Sequence, residues 1–223
     1  MRKTFIAASV LSATALLGSN LALAESPISG NVTFVSDYIS RGVSYSAGKP
    51  AIQGSLDYTH ASGFYAGIWG SSVSDKSLGD IGSNGMEIDV YLGYAGEVGA
   101  FGYDIGAVRY IYPSDLSSSD TDSTELYIGM SWEFLGLSYA RDIDLDTNYL
   151  ELTASYEVMT DLSLDMSVGY MDPDEGETRT DWSIGVTKNY ADIDFGLHYV
   201  DSNRSGDYSD VDNAVVLSIS KSF

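Results

Sequence analysis

The sequence predicts an all-β fold, an antiparallel up-and-down transmembrane β-barrel of about 12 strands with short periplasmic turns and longer extracellular loops. Three observations predict it. Apolar residues recur with a period of two, short and long connections alternate, and aromatic residues concentrate near the strand ends. A soluble barrel or sandwich shows the same alternation, but its apolar face forms the core and its polar face meets water. The period of two alone therefore leaves both interpretations open. The connections and the aromatic residues favour the membrane barrel.

The composition restricts the functions that the chain can serve. It has 223 residues, 32 acidic side chains against 11 basic ones, and a formal net charge of −21 at pH 7. Such acidity argues against nucleic acid as a partner, because phosphates bind through Lys and Arg. With 44% hydrophobic residues and 17 tyrosines, the chain is too apolar to be disordered. It has no cysteine, which excludes a disulfide framework and a lipoprotein anchor.

Residues 1–24 form a leader that we expect to be cleaved. Arg2 and Lys3 give it a positive start, and an apolar stretch rich in alanine and leucine follows. Ala22-Leu23-Ala24 then supplies the small residues that signal peptidase accepts. The alternative is a retained membrane helix, but polar residues interrupt the apolar stretch. We expect residues 25–223 to form one barrel domain.

Twelve segments show the period-two alternation after the leader. In Met86–Tyr94, for example, Ile88 and Val90 share one face, whereas Glu87 and Asp89 share the other. Most segments have about 9–11 residues, the length that a tilted strand needs to cross a bilayer. The segments are 28–40, 50–60, 63–71, 86–95, 101–112, 124–134, 137–141, 148–158, 162–171, 179–188, 192–200 and 214–223.

The connections between these segments alternate in length, as they do in outer-membrane barrels. Because the number of strands is even, both chain termini are expected on the side of the short turns. The short turns are predicted at 60–63, 96–100, 135–136, 159–161 and 189–191. The longer, polar loops are predicted at 41–49, 71–85, 113–123, 142–147, 172–178 and 201–213.

If the aliphatic face meets lipid, the other face lines the interior. A charge on the lipid face is costly, about 2–4 kcal/mol for Arg or Lys at the bilayer midplane, so the acids should point inward. An acidic wall attracts cations and repels anions. A barrel of this size either leaves an aqueous path or is filled by side chains and conducts little. The pore-lining candidates are Asp37, Asp57, Glu87, Asp89, Asp104, Glu125, Glu133, Glu151, Asp165 and Asp181.

Residues 31–73 carry a set of short motifs in a recognisable order. These are Ser36-Asp37-Tyr38, Arg41–Ser44, Pro50–Gly54 and Gly63–Trp69. The region resembles the opening of the TorF family of porins, although Tyr45 stands where a glutamine is expected. The resemblance implies a secreted outer-membrane protein and leaves the transported solute unspecified.

The residues and the resemblance together indicate a porin-like channel for passive diffusion of small solutes, with cations preferred. The alternative is a non-conducting barrel that serves a structural role or binds lipopolysaccharide through divalent cations. The expected location is the outer membrane of a Gram-negative bacterium, with lipid and lipopolysaccharide as partners. The C-terminal Phe223 resembles the terminal strand recognised by barrel-assembly machinery, a further expected partner during insertion.

No catalytic, cofactor or metal site is predicted. His198 and Ser202 could be proposed as a rim pair of a lipid-modifying barrel, but no further residues mark a nucleophile with its base. The acidic stretch that begins at Asp142 lacks the features of an EF-hand, with Thr147 at the sixth position and Thr153 at the twelfth. We therefore expect the chain not to be an enzyme.

The leader gives the first testable prediction. The protein purified from cell envelopes should begin at Glu25, because signal peptidase cuts after a small-x-small site. Mass spectrometry of the intact protein measures this directly. Recovery of a chain that still begins at Met1 would contradict it.

Overall fold

The computed structural model describes residues 27–74, 85–113, 122–174, 176–203 and 213–223. The leader and parts of the connections predicted at 71–85, 113–123, 172–178 and 201–213 lie outside these residues. The described residues include no helix that is long and apolar enough to cross a membrane.

Fourteen strands are present in the described parts of the chain. They are β1 (Ile28–Val35), β2 (Ile39–Ser40), β3 (Val43–Ser44), β4 (Ala51–Thr59), β5 (Phe64–Ser72), β6 (Met86–Val98), β7 (Phe101–Ile111), β8 (Ser123–Trp132), β9 (Leu135–Asp142), β10 (Thr147–Met159), β11 (Leu162–Pro173), β12 (Arg179–Tyr190), β13 (Ile193–Ser202) and β14 (Ala214–Ser222). Twelve of them form a closed antiparallel barrel in chain order, and β1 closes it by pairing with both β4 and β14. The remaining two, β2 and β3, form a separate hairpin. The predicted fold class is confirmed.

Several predicted bounds differ from the structure. β6 extends to Val98 and β12 to Tyr190, so the turns predicted at 96–100 and 189–191 lie at 99–100 and 191–192. The segment predicted at 137–141 is β9, and it begins two residues earlier because Leu135 and Gly136 already pair with β8. The turn predicted at 135–136 therefore lies at 133–134, where Glu133 takes a left-handed φ of 53°. The segment predicted at 28–40 ends at Val35, where the chain leaves the barrel wall.

The connections alternate in length, with one exception. Short connections at 60–63, 99–100, 133–134, 160–161 and 191–192 lie at one end of the barrel. The connection at 143–146 belongs to the other end but is no longer than the turn at 60–63. The pairing of Ile28 with Tyr58, and of Asn31 with Ser222, places both ends of the barrel sequence beside the short turns.

The two faces of the wall differ in polarity. Phe34, Leu92 and Leu217 point outward and are 56%, 62% and 57% exposed, whereas the acids Glu125 and Asp165 are buried inside. A soluble barrel has the reverse arrangement, with an apolar core and a polar surface. The apolar exterior is that of a membrane barrel, whose outer face meets lipid.

Inside the barrel, tyrosine rings lie against glycines of the adjacent strand. Tyr65 is paired with Gly93, and Tyr127 is paired with Gly106. A Cβ atom added to either glycine would collide with the ring of its tyrosine partner. Glycine in a strand marks such a close approach. The missing Cβ allows these rings to fold over the neighbouring strand.

The Gly–Tyr pairs give a prediction about stability. Gly106→Ala should lower the free energy of unfolding by about 1–3 kcal/mol, the usual cost of overpacking, because the new methyl group displaces the Tyr127 ring. Gly70→Ala is the matched control, since a Cβ there meets only the Glu87 carbonyl oxygen at 3.3 Å. Urea unfolding of the refolded barrel in detergent measures both. Equal stability of the two variants would contradict the role of the ring.

Candidate functional site

The chain between β1 and β4 forms a tight hairpin. β2 and β3 pair through Ser40 and Val43, which leaves Arg41 and Gly42 as the two turn residues. Their φ values are 51° and 74°, as a type I′ turn requires. The turn also lies close to β13. A Cβ atom on Gly42 would be only 2.8 Å from the Cβ of Ser202, so this position has room for glycine alone.

The base of the hairpin is held by hydrogen bonds. The Asp37 carboxylate accepts bonds from the hydroxyls of Ser44 at 2.6 Å and Ser46 at 2.7 Å. The Ser46 hydroxyl in turn accepts a bond from the backbone N–H of Tyr38 at 2.8 Å. Asp37 was predicted on a strand of the wall, and it instead lies in the hairpin segment and fixes its shape.

The tip of the hairpin reaches the far wall. Arg41 donates two hydrogen bonds to Glu125 of β8, from Nη1 to Oε2 at 2.7 Å and from Nη2 to Oε1 at 2.9 Å. Its Cζ atom lies 4.4 Å from the ring centroid of Tyr149 on β10. Around the barrel, four strands separate β1 from β8 in one direction and from β10 in the other. The hairpin therefore crosses the lumen.

The hairpin is buried against the inner face of the wall. Ile39 packs against Val200 and Val216 of the wall. A cavity of about 20 Å³ remains beside Arg41, which is room for about one water molecule. The largest side chains that are fully buried are those of the hairpin and of the wall facing it: Tyr149, Ile39, Glu87, Glu125, Val216 and Asp89.

Arg41 keeps its charge inside the barrel. Burial by itself lowers the pKa of Arg41, but the attraction and hydrogen bonds of Glu125, with the nearby Tyr110 and Tyr149, raise it well above its ordinary value. A bidentate pair between a guanidinium and a carboxylate is a strong, directional contact. A second guanidinium, that of Arg179 on β12, donates to the Arg41 carbonyl at 3.4 Å.

The structure brings several predicted residues together around the hairpin tip. Glu87, Asp89, Glu125 and Asp181 all interact electrostatically with Arg41. The other predicted acids that point inward are Asp57, Asp104, Glu151 and Asp165. Whether these side chains line a conducting path stays a prediction.

Glu133 does not belong to this group. It was assigned to the interior because it continues the alternation of 124–134. In the structure it lies in the turn between β8 and β9, where the left-handed backbone ends the alternation, and its side chain is exposed. Glu133 therefore lies off the interior wall.

The hairpin itself was missed at the level of sequence. The signal was present, since Arg41-Gly42 lies between the alternating apolar residues Ile39 and Val43. A two-residue connection that ends in glycine is a hairpin signal. The alternation of the first segment obscured it, because Asp37 continues the inward parity of Thr33 and Val35 past the point where the wall ends.

A family model covers the whole of the barrel sequence. Residues 22–223 match the family described as "Bacterial protein of unknown function (Gcw_chp)". The chain belongs to this family. The match spans every strand of this Gcw_chp barrel, and none of the curated proteins compared with it matches its sequence.

Solved porins are similar to this Gcw_chp barrel in fold. A structure titled "KdgM porin" superposes with a TM-score of 0.61 at 9% identity and covers 87% of this chain and 99% of its own. A NanC porin superposes with a TM-score of 0.58 at 12% identity and covers 86% and 97%. At such low identity the similarity establishes the barrel fold alone.

Removing the charge that faces Arg41 is predicted to release the hairpin. In Glu125→Gln the guanidinium stays buried without its anion, and breaking a buried pair costs about 3–5 kcal/mol. A cost of about 3 kcal/mol raises the population of the open hairpin roughly 100-fold. Trypsin should then cut the folded protein after Arg41, and mass spectrometry of the fragments detects the cut.

Asp192→Asn is the control for this experiment. It also removes one negative charge, but from an exposed turn at the short-turn end of the barrel. Equal rates of cleavage after Arg41 in the two variants would show that Glu125 does not hold the hairpin.

Proposed function

We propose that this protein is a narrow porin-like channel of the outer membrane, through which small solutes diffuse passively and cations pass in preference to anions. The observation that carries the proposal is the charge of the interior. Carboxylates from nine of the twelve wall strands point inward, and the guanidinium groups that face them in the described residues are those of Arg41 and Arg179. The inward acids are Asp57, Glu87, Asp89, Asp104, Glu125, Asp142, Glu151, Asp165, Asp181 and Asp194.

The electrostatic argument follows from this distribution. A passage lined by one sign of charge and surrounded by low-dielectric walls focuses the field and concentrates counter-ions. Rings of acidic side chains select cations in the same way. The acids on the barrel wall therefore support a preference for cations over anions.

The outer surface supports the location. Exposed aromatic rings meet in pairs near the short turns, with Phe64 and Tyr94 at 5.0 Å and Phe101 and Trp132 at 6.2 Å between centroids. Such aromatic belts lie at the lipid–water interface of membrane barrels. We propose the outer membrane of a Gram-negative bacterium, reached after removal of residues 1–24. The TorF resemblance and the KdgM and NanC porin folds support the same proposal.

The hairpin sets the size of solute that such a channel admits. Because β2 and β3 cross the lumen and Arg41 contacts the far wall, a solute has to pass beside the hairpin or displace it. A wall of twelve strands lies between small filled barrels and wide porins. The proposed channel is accordingly restricted to inorganic ions and small solutes.

The packing of the hairpin also favours a second candidate function. If the hairpin never moves, the cavity of about 20 Å³ beside Arg41 leaves no path for ions at that point. The protein would then be a non-conducting structural barrel. Conductance separates the two candidates.

Planar-bilayer recordings of the refolded protein test the proposed function. Reversal potentials across a KCl gradient should show a strong preference for potassium over chloride at about 0.1 M salt and a weak one near 1 M. The screening length falls over this range from about 10 Å to about 3 Å. Channels that prefer chloride would overturn the proposal, and inserted protein without conductance would favour the structural barrel. Detergent without protein is the blank.

A further inference from the structure

Two carboxylates of β6 have oxygens without a partner. Glu87 and Asp89 lie two residues apart on the inward face, and each is 2% exposed. Oε2 of Glu87 and Oδ1 of Asp89 are buried and accept no hydrogen bond. An isolated carboxylate is costly to bury unless it is paired or hydrogen-bonded. These two side chains therefore need either a proton or a positively charged partner beyond those that the described residues supply.

The surroundings of the pair are aromatic. The Tyr112 hydroxyl donates to Oε1 of Glu87 at 3.0 Å, and the buried Tyr38 interacts electrostatically with Glu87. Tyr38 in turn lies 5.1 Å from the Tyr45 ring and 5.5 Å from the Trp69 ring, measured between centroids. The hairpin thus covers the carboxylates with rings and hydroxyl groups.

The hydroxyl groups of the hairpin tyrosines are neutral at physiological pH. Burial, followed by the charge of Glu87, raises the pKa of Tyr45 to about 12. Burial and the charges of Glu87 and Asp89 raise the pKa of Tyr38 well above its ordinary value. Neutral hydroxyls add oxygen ligands to the site without adding charge.

The nearby guanidinium is already engaged. Arg41 binds Glu125 through both of its terminal nitrogens, so its hydrogen bonds go to that carboxylate. Asp89 feels the attraction of Arg41 together with the repulsion of Glu87 and Glu125. One arginine thus faces three buried carboxylates, and Glu87 and Asp89 form no ion pair among the described residues.

We propose that Glu87 and Asp89 form a binding site for a small inorganic cation between β6 and the hairpin, and that this site determines the cation preference of the channel. The selectivity part rests on the proposed function, whereas cation binding does not. Side chains two residues apart on a strand are separated by about 7 Å, so their carboxylates can converge on one ion. Carboxylate and hydroxyl oxygens are the ligands that hard cations prefer.

Cation binding should stabilise the folded barrel. A ligand that binds only the native state raises stability in proportion to the logarithm of its concentration. At roughly 100 times the dissociation constant, a protein of this size should gain about 5–10 °C in Tm. A bound cation should also favour the seated hairpin, because it lowers the cost of burying the two carboxylates beneath it.

Thermal unfolding of the full mature chain in neutral detergent tests the site without any need for conductance. Chloride salts of potassium, sodium, calcium and magnesium are compared with N-methylglucamine chloride at equal ionic strength. The Tm should rise to a plateau as the concentration of at least one of the small cations increases. Comparing the four salts shows whether monovalent or divalent cations bind. Glu87→Gln combined with Asp89→Asn should remove the dependence.

Asp161→Asn combined with Asp192→Asn is the matched control. It removes the same two charges from exposed turns, where asparagine retains the left-handed backbone that both positions need. This variant should keep the cation dependence of the Tm. A Tm that is the same in all salts, or that depends only on pH, would overturn the site, as would a dependence that survives Glu87→Gln/Asp89→Asn.

Bilayer recordings separate a failure of the site from a failure of the channel. The Glu87→Gln/Asp89→Asn barrel should lose at least several-fold in its preference for potassium over chloride, and the turn variant should keep it. A barrel that binds cations without conducting refutes only the proposed function. A cation-selective channel whose preference survives the double substitution refutes the selectivity role of the site.

Discussion

The ion pair between Arg41 and Glu125 is the contact on which the interior of this barrel depends. It joins a hairpin from one side of the wall to a strand on the other, and it places a fixed positive charge in the middle of an acidic lumen. Buried pairs of this kind add little net stability, but removing one partner is strongly destabilising because it leaves a buried charge unpaired. Here the bidentate geometry and the Tyr149 ring fix the position of the tip.

The hairpin changes the environment of the acidic wall. Without the hairpin, Glu87, Asp89 and Glu125 would face water, where a charged carboxylate has no desolvation cost. With it, all three are nearly inaccessible, and in the described residues Glu125 is the one of the three that forms an ion pair. The same segment therefore narrows the lumen and buries two carboxylates that form no ion pair in the described residues. Occlusion and the proposed selectivity both depend on this one element.

The barrel could be predicted from the sequence because the alternation of polarity follows directly from a wall with lipid on one side. The positions of Glu87, Asp89 and Glu125 follow from the same rule. The alternation predicts Glu133 and Asp37 on the interior wall, and both lie elsewhere for one physical reason. Successive side chains point to alternate faces only while the backbone stays extended. A left-handed residue at Glu133 and the departure from the wall after Val35 both end the alternation. The contact of Arg41 with Glu125 joins residues 84 apart in sequence, and no local pattern encodes it.

The Gly–Tyr pairs inside the wall have a consequence for how the strands find their alignment. A register shift of one residue between neighbouring strands exchanges the two faces, so alternating polarity disfavours it. A shift of two residues keeps every side chain on its own face, so polarity does not disfavour it. In the native register of β5 and β6, Tyr65 lies opposite Gly93. A shift by two residues would place Tyr65 opposite Tyr91 in one direction and opposite Ala95 in the other. Either shift leaves a ring without its glycine. The tyrosines thus distinguish alignments that hydrophobicity treats as equivalent.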